Sequence, residues 1–215
     1  MKHATFRPRF GHSLLLLALG GTLTSSLVQA ADALPTIQQQ WAHCQYQETG
    51  KAKESCLETL SAQAEQASAK EAFRTDLLIW SAIVKSTWAG AKGGLGALSL
   101  VKEAKAKLEI AIKQDPKALE GSAYTSLGSL YYQVPGWPVG FGDDDKAEQL
   151  LKQALTINPT GIDPNFFYGD FLLAQGDKAQ AKIYLDKALA APARPGREAA
   201  DEGRRTEIRE RLAKL

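Results

Sequence analysis

A small–large–small pattern of apolar residues recurs three times along the chain. Ala147, Leu151 and Ala154 lie four and three positions apart, and the same order begins at Ala104 and again at Ala181. These starts are separated by 43 and 34 residues. Residues at such spacings share one face of an α-helix, and alanine on that face lets a second helix approach closely. The pattern therefore predicts three helices that each pack tightly against a partner.

The helix that precedes each of the last two segments carries a glycine in a matching place. The motifs are L-G-x-x-Y at Gly128 and Y-G-x-x-L at Gly169. Glycine inside a helix costs about 1 kcal/mol relative to alanine. Two glycines in matched places therefore predict close helix contacts.

The segment Val134–Asp145, with the sequence V-P-G-W-P-V-G-F-G-D-D-D, interrupts this period. Pro135 and Pro138 stand three positions apart and exclude a helix there. From the glycine to the first alanine, the middle unit spans 19 residues and the last unit spans 12. The segment is therefore interpreted as a seven-residue insertion within one turn.

A 34-residue helix-turn-helix unit with this spacing resembles the tetratricopeptide repeat (TPR). We predict an all-α fold, a TPR-like α-solenoid of antiparallel helix pairs with a C-terminal capping helix. The predicted parts are a helical hairpin at 31–70, repeats at about 71–116, 117–159 and 160–193, and the capping helix at 194–215. The open alternative is that alanine- and leucine-rich helices match the TPR spacing by chance.

Local signals add detail to the helix boundaries. The glycine-rich segment 89–96 predicts a flexible turn, and a helix is expected to begin at Ala118. Asp145 followed by Glu148 predicts a capping box. The Asp-Pro step at Asp163 predicts an N-cap followed by proline in the first helical position.

Residues 1–30 have the pattern of a cleaved signal peptide. Three basic residues precede the short apolar run Leu14–Leu19, and small residues at Val28 and Ala30 predict cleavage after Ala30. The run is far shorter than the roughly 20 residues that span a membrane. We therefore expect a periplasmic protein without a membrane span. Without these 30 residues the chain is close to neutral, which gives no reason to expect nucleic acid as a partner.

Cys44 and Cys56 are the only cysteines. They fall in consecutive predicted helices, where an antiparallel hairpin brings them level, and an exported chain favours a disulfide between them. The alternative is two buried free thiols. A metal site is disfavoured because His43 points away from Cys44 on a helix and a third ligand is missing, so no metal or other cofactor is expected.

An enzyme is poorly supported, because His43 is the single histidine after residue 30. Any serine or cysteine nucleophile would depend on it as a base. The acidic run at 143–145 precedes a helix, where carboxylates cap the first turn, and it lacks the alternating ligands of a calcium loop.

Binding is better supported than catalysis. By helical projection, one repeat helix presents a polar face that comprises Ser122, Thr125, Ser129, Tyr132 and Gln133. The next repeat helix presents Phe166, Asp170 and Leu173 on one face. The aromatic residues of the inserted loop either cover this surface as a lid or attach the loop to the helices as a small core. The predicted binding residues are Ser129, Tyr132, Trp137, Phe141, Phe166, Asp170, Arg194 and Arg197.

The charged C-terminal helix has two interpretations. As the end of a repeat array it is expected to be a solvated cap, with pairs such as Glu207–Arg211 along its surface. Alternatively, Arg204, Arg205 and Arg209 form a basic docking patch.

The inserted loop and the segments after it resemble an exported bacterial family. The matching motifs are P-G-W-P-x-G-F-G-D-D, N-P-x-G-I-D-P-N-F-F-Y-G-D and A-P-x-R-P-G-R, followed by a charged helix. Over roughly residues 71–215 the chain is similar to the TPR component associated with TRAP (tripartite, ATP-independent, periplasmic) transporters. The resemblance implies a soluble partner of a periplasmic solute-binding protein, with homo-oligomers in some members. The chain departs from this family in lacking the cysteine that anchors the characterised type to lipid.

The favoured hypothesis is a non-enzymatic periplasmic scaffold that binds another protein, with a TRAP-type solute-binding protein as the implied partner. The alternative is a binder of a small hydrophobic ligand in a pocket beside the Trp137 loop. A hydrolase that depends on His43 is the third hypothesis.

Overall fold

The computed structural model describes residues 1–3 and 32–215. The predicted signal peptide therefore lies almost wholly outside the described residues. Across 32–215 the chain forms α-helices and no β-strand. None of the described helices combines the length and the apolar character that a bilayer crossing requires.

Nine α-helices and one 3-10 turn follow each other along this described part. They are α1 (Ala33–Tyr46), α2 (Gly50–Lys70), α3 (Thr75–Lys92), α4 (Gly94–Gln114), the 3-10 turn Ala118–Gly121, α5 (Ser122–Gln133), α6 (Asp144–Ile157), α7 (Ile162–Ala174), α8 (Lys178–Leu189) and α9 (Glu198–Leu212). Consecutive helices pack against each other along the whole series, as in a helical repeat. The predicted all-α, TPR-like fold is confirmed.

The repeated apolar residues form the contacts within the helix pairs. Leu151 of α6 and Leu185 of α8 are both 0% exposed. A β-carbon built on Gly128 would lie 2.8 Å from Leu151 Cγ, and one built on Gly169 would lie 2.9 Å from Leu185 Cγ. Both distances are too short for a real β-carbon, so only glycine permits these approaches. The two predicted close contacts are confirmed.

The N-terminal hairpin is held by a disulfide. Cys44 of α1 and Cys56 of α2 are bonded, with their Cα atoms 5.6 Å apart. Trp41 of α1 packs edge-on against Trp80 of α3 at 5.6 Å, which joins the hairpin to the first repeat. The predicted disulfide is confirmed.

Two predicted helix boundaries are wrong. The glycine-rich segment is not a long turn, because α3 continues to Lys92 and α4 begins at Gly94. Gly93 separates them with a φ of 64°, a left-handed value that one glycine adopts at little cost. The fifth helix begins at Ser122 rather than Ala118, since Leu119 and Glu120 both have positive φ and break the helical path.

The predicted caps also differ from those observed. Asp143, not Asp145, caps α6, and its side chain accepts a hydrogen bond from the Lys146 amide at 3.0 Å. The N-cap of α7 is Gly161, so Asp163 lies inside the first turn of that helix. Its carboxylate is therefore directed to other partners, which belong to the cavity described below.

The last helix does more than cover the end of the array. Helix α9 packs against α7 and α8 and also against α1, so the C-terminal helix meets the N-terminal hairpin. A β-carbon on Gly203 would lie 2.3 Å from Tyr46 Cγ, which shows how closely α9 approaches α1. The prediction of a solvated cap is wrong for the inner face of this helix.

Candidate functional site

The inner helices of the repeats surround a central cavity of about 930 Å³. Its walls come from α1, α3, α5 and α7, and the segment 192–197 and α9 form the remaining side. Of the predicted binding residues, five line this cavity: Ser129, Phe166, Asp170, Arg194 and Arg197. Cavities of this size accommodate drug-sized ligands or a few side chains of a partner.

Hydroxyl groups dominate the wall that α5 supplies. This wall carries Ser122, Thr125, Ser126 and Ser129. Across from it, Thr87 of α3 accepts a hydrogen bond from Trp41 Nε1 at 3.0 Å. The predicted polar face of α5 therefore lies on the cavity, where its small side chains leave space for a bound group.

Tyr132 does not line the cavity but fixes a residue that does. Its hydroxyl donates to Asp170 Oδ2 at 2.9 Å, and Arg211 of α9 donates to the other oxygen of the same carboxylate. Burial, together with the charge of Asp170, raises the pKa of Tyr132 well above its usual value. Tyr132 thus stays protonated and acts as a permanent donor that orients Asp170.

Asp163 is the centre of a charge network between α7 and the C-terminal segment. Arg194 donates to its Oδ2 at 2.6 Å, and Arg204 donates to its Oδ1 at 2.9 Å. Burial alone would raise the pKa of Asp163, but the charges of Arg204 and Arg194 outweigh it and lower the pKa to about 2. Arg194 also binds Asp201, which is almost completely buried.

The predicted docking patch on α9 is wrong for Arg204, because that side chain is only 8% exposed. Its guanidinium lies over the rings of Phe166 and Phe167, at 4.4 Å and 4.7 Å from their centroids. The predicted Glu207–Arg211 pair is replaced as well. Glu207 accepts a hydrogen bond from Arg204, and Arg211 pairs with Asp170 as described above.

Arg197 lines the cavity on top of Trp80. Its guanidinium carbon lies 4.8 Å from the centroid of that ring. Trp80 in turn contacts Trp41, so two aromatic rings border the cavity at this place. Sequence reasoning assigned Trp80 to the core of α3 and did not connect it with binding, because nothing local indicates that Arg197 lies above it.

The two loop aromatics lie away from the cavity. Phe141 packs edge-on against Tyr131 at 5.5 Å, on the side of α5 that faces its neighbours, and it is partly buried there. Trp137 is 90% exposed. Phe141 therefore attaches the loop to the helices, whereas Trp137 projects into solvent and does not cover the cavity.

The single histidine of the mature chain is remote from the cavity. His43 lies on an exposed face of α1 and contacts Gln47 and Glu48 of its own hairpin. Within residues 1–3 and 32–215, no three histidine, cysteine, aspartate or glutamate side chains are grouped so that they could hold a metal ion. The cavity itself combines hydroxyls, aromatic rings and ion pairs, which suit binding.

Paired helices around a concave, mixed-polarity cavity define a helical-repeat protein of the TPR type. The family model described as tetratricopeptide repeat matches residues 140–200, which run from the inserted loop through α6, α7 and α8 into α9. This match supports a tetratricopeptide-repeat protein and suggests a protein–protein interaction scaffold, a group that is generally non-enzymatic. No curated protein shows significant sequence similarity to the chain.

Proposed function

We propose that the protein is a non-enzymatic scaffold that binds a partner protein through the central cavity after export to the periplasm. The observation that carries this proposal is that the inner helices α1, α3, α5 and α7 all contribute to one cavity wall. Repeat arrays use this concave surface to bind extended or helical segments of other proteins. The hydroxyls of α5 and the rings of Trp41 and Trp80 supply both hydrogen-bonding and apolar contacts there.

The periplasmic location follows from two features of the chain. The pattern of residues 1–30 is that of a signal peptide, and the Cys44–Cys56 disulfide is typical of an oxidising compartment. The resemblance of residues 71–215 makes a solute-binding protein of a TRAP-type uptake system the partner to test first. The same resemblance predicts a homo-oligomer, which light scattering after gel filtration would measure.

The alternative of a hydrophobic pocket beside the Trp137 loop is not adopted. Trp137 is exposed and Phe141 packs on Tyr131, and neither residue lines the cavity. The exposed Trp137 offers a second surface for a partner, which the experiment below separates from the cavity.

The test is a cross-linked capture from intact periplasm with matched tryptophan variants. Ser126→Trp places a large side chain in the cavity, whereas Ser99→Trp places the same side chain on an exposed position of α4. We expect a partner that is identified by mass spectrometry with the wild type and Ser99→Trp and is lost with Ser126→Trp. Circular dichroism must show that both variants retain the wild-type helix content.

Two results would argue against this proposal. Equal capture by Ser126→Trp and the wild type would remove the cavity as the binding surface. Loss of the same partner in Trp137→Ala, with Ser126→Trp still active, would transfer the interaction to the inserted loop. Phe141 is left unchanged in that variant because it holds the loop against the helices.

A further inference from the structure

Arg197 differs from the other arginines on the cavity wall. Arg194, Arg204 and Arg211 each form an ion pair with a carboxylate of the wall. Among the described residues, no carboxylate oxygen lies within 4.0 Å of the Arg197 guanidinium, and its buried Nε has no hydrogen-bond acceptor. A buried donor without an acceptor is costly, so this group has an unfilled place beside it.

The surroundings of Arg197 are partly apolar. Its guanidinium lies on the face of Trp80, whose other contacts include Trp41, and Ile83 lines the same cavity. An arginine that stacks on an aromatic ring keeps its donor edge free for a planar acceptor. A ligand that enters here therefore meets donor groups and apolar surface together.

The charges around Arg197 favour an anion with a single negative charge. Four cationic side chains, namely Lys53, Arg194, Arg197 and Arg204, are grouped with three carboxylates, namely Asp163, Asp201 and Glu207. Burial and the nearby charge of Arg194 lower the pKa of Arg197, which reflects the unfavourable position of its charge. One added negative charge balances this group, whereas a doubly charged phosphate would exceed it.

We propose that Arg197 and Trp80 form a subsite for a carboxylate group carried on an apolar body. The guanidinium edge donates to the two carboxylate oxygens, and the apolar part of the ligand lies against Trp80 and Ile83. Two sources share this chemistry, a free organic acid and an acidic side chain of a partner protein. In the second case the inference rests on the proposed function, because the partner segment must enter the cavity.

The first experiment measures binding of 4-phenylbutyrate and of its neutral amide, 4-phenylbutanamide, by isothermal titration calorimetry. We expect the wild type to bind the acid at least about ten-fold more tightly than the amide, since hydrogen bonds to charged groups are the stronger ones. Arg197→Gln should abolish this preference. Arg209→Gln, which removes an exposed arginine of α9, should retain it.

The inference is overturned if the wild type binds acid and amide equally, or if Arg197→Gln and Arg209→Gln behave alike. Inorganic phosphate that competes with 4-phenylbutyrate as well as a second carboxylate does would overturn the assignment to carboxylates. Arg197→Lys provides a second variant in case the glutamine variant unfolds. It keeps the charge without the planar donor edge, so an intermediate preference for the acid is expected.

A peptide arm separates the two sources of the carboxylate. The peptide acetyl-Phe-Glu-Ala-amide is compared with its Glu→Gln analogue on the wild type and on Arg197→Gln. Preference for the glutamate peptide that disappears in Arg197→Gln identifies a polypeptide side chain, and preference for 4-phenylbutyrate alone identifies a free acid. A partner that is lost in Ser126→Trp but kept by Arg197→Gln would leave the scaffold proposal intact and remove the partner's carboxylate from the subsite. Acid binding that depends on Arg197 without any captured partner would give the reverse result.

Discussion

Leu151 and Leu185 fill the contacts within their helix pairs and are fully buried, whereas the C-terminal wall of the cavity buries Asp201 and Arg204 instead. In the helix pairs, a leucine opposite a glycine gains stability from close packing. In the wall, each buried charge is stable only while its partner is present. One region therefore tolerates changes of charge and the other tolerates changes of volume, and this contrast can be tested.

The largest effect is expected for Leu151→Ala. The substitution leaves a cavity opposite Gly128, which has no side chain to fill it, and should lower the free energy of unfolding by about 3–4 kcal/mol. Leu95→Ala removes the same atoms from a side chain that is 85% exposed and should cost less than about 0.5 kcal/mol. Chemical denaturation followed by circular dichroism measures both values. Equal losses would contradict the packing that we describe.

Asp163→Asn tests the charged wall with almost no change in volume. Because Arg194 and Arg204 would both lose their anionic partner, we expect a loss of about 2 kcal/mol, less than for a fully buried pair since Asp163 is partly accessible. The control is Asp186→Asn, which breaks an exposed pair with Lys182 and should cost under about 0.5 kcal/mol. Similar losses for the two variants would mean that the network contributes no more than a surface ion pair.

The contact between α9 and α1 is tested by two glycine-to-alanine changes. Gly203→Ala places a methyl group against Tyr46 and should destabilise the protein by about 1 kcal/mol, the overpacking cost exceeding the gain in helix propensity. Gly90→Ala, in α3, has no neighbouring atom within 4 Å of the new methyl and should stabilise by up to about 1 kcal/mol. If both variants are stabilised in urea titrations, α9 does not pack on α1 as closely as described.

The smallest effect is a pH dependence. The pKa of Asp163 is lowered to about 2 in the folded protein, below the value of about 3.9 expected in the unfolded chain. Its contribution is therefore complete above about pH 5 and disappears as the pH falls toward 2. The difference in unfolding free energy between the wild type and Asp163→Asn should shrink over that range. A difference that stays constant from pH 7 to pH 2.5 would exclude ionisation of Asp163 as the cause.

The helix pairs could be predicted from the sequence because their signals are local. Ala147, Leu151 and Gly128 lie within one repeat, and their spacing alone indicates a close contact. The polar face of α5 was also accessible to helical projection, and it does line the cavity.

The charged wall could not be predicted in the same way. Asp163 precedes a proline at a helix start and has every local mark of a cap, yet its carboxylate binds Arg204, 41 positions later. Two strong ion pairs outweigh one cap hydrogen bond. Trp80 likewise has the pattern of a core residue, and only the long-range approach of Arg197 gives it a place on the cavity.

The contact of α9 with α1 has a consequence for folding. Gln45 and Tyr46 donate hydrogen bonds to Glu207, across 162 and 161 positions of the chain. An open solenoid contains only neighbour contacts, so it can fray from its ends and fold rapidly from any repeat. Joining the first helix to the last suppresses such fraying and makes unfolding more cooperative. Because this closure brings distant segments together, it also raises the contact order and slows the final step of folding.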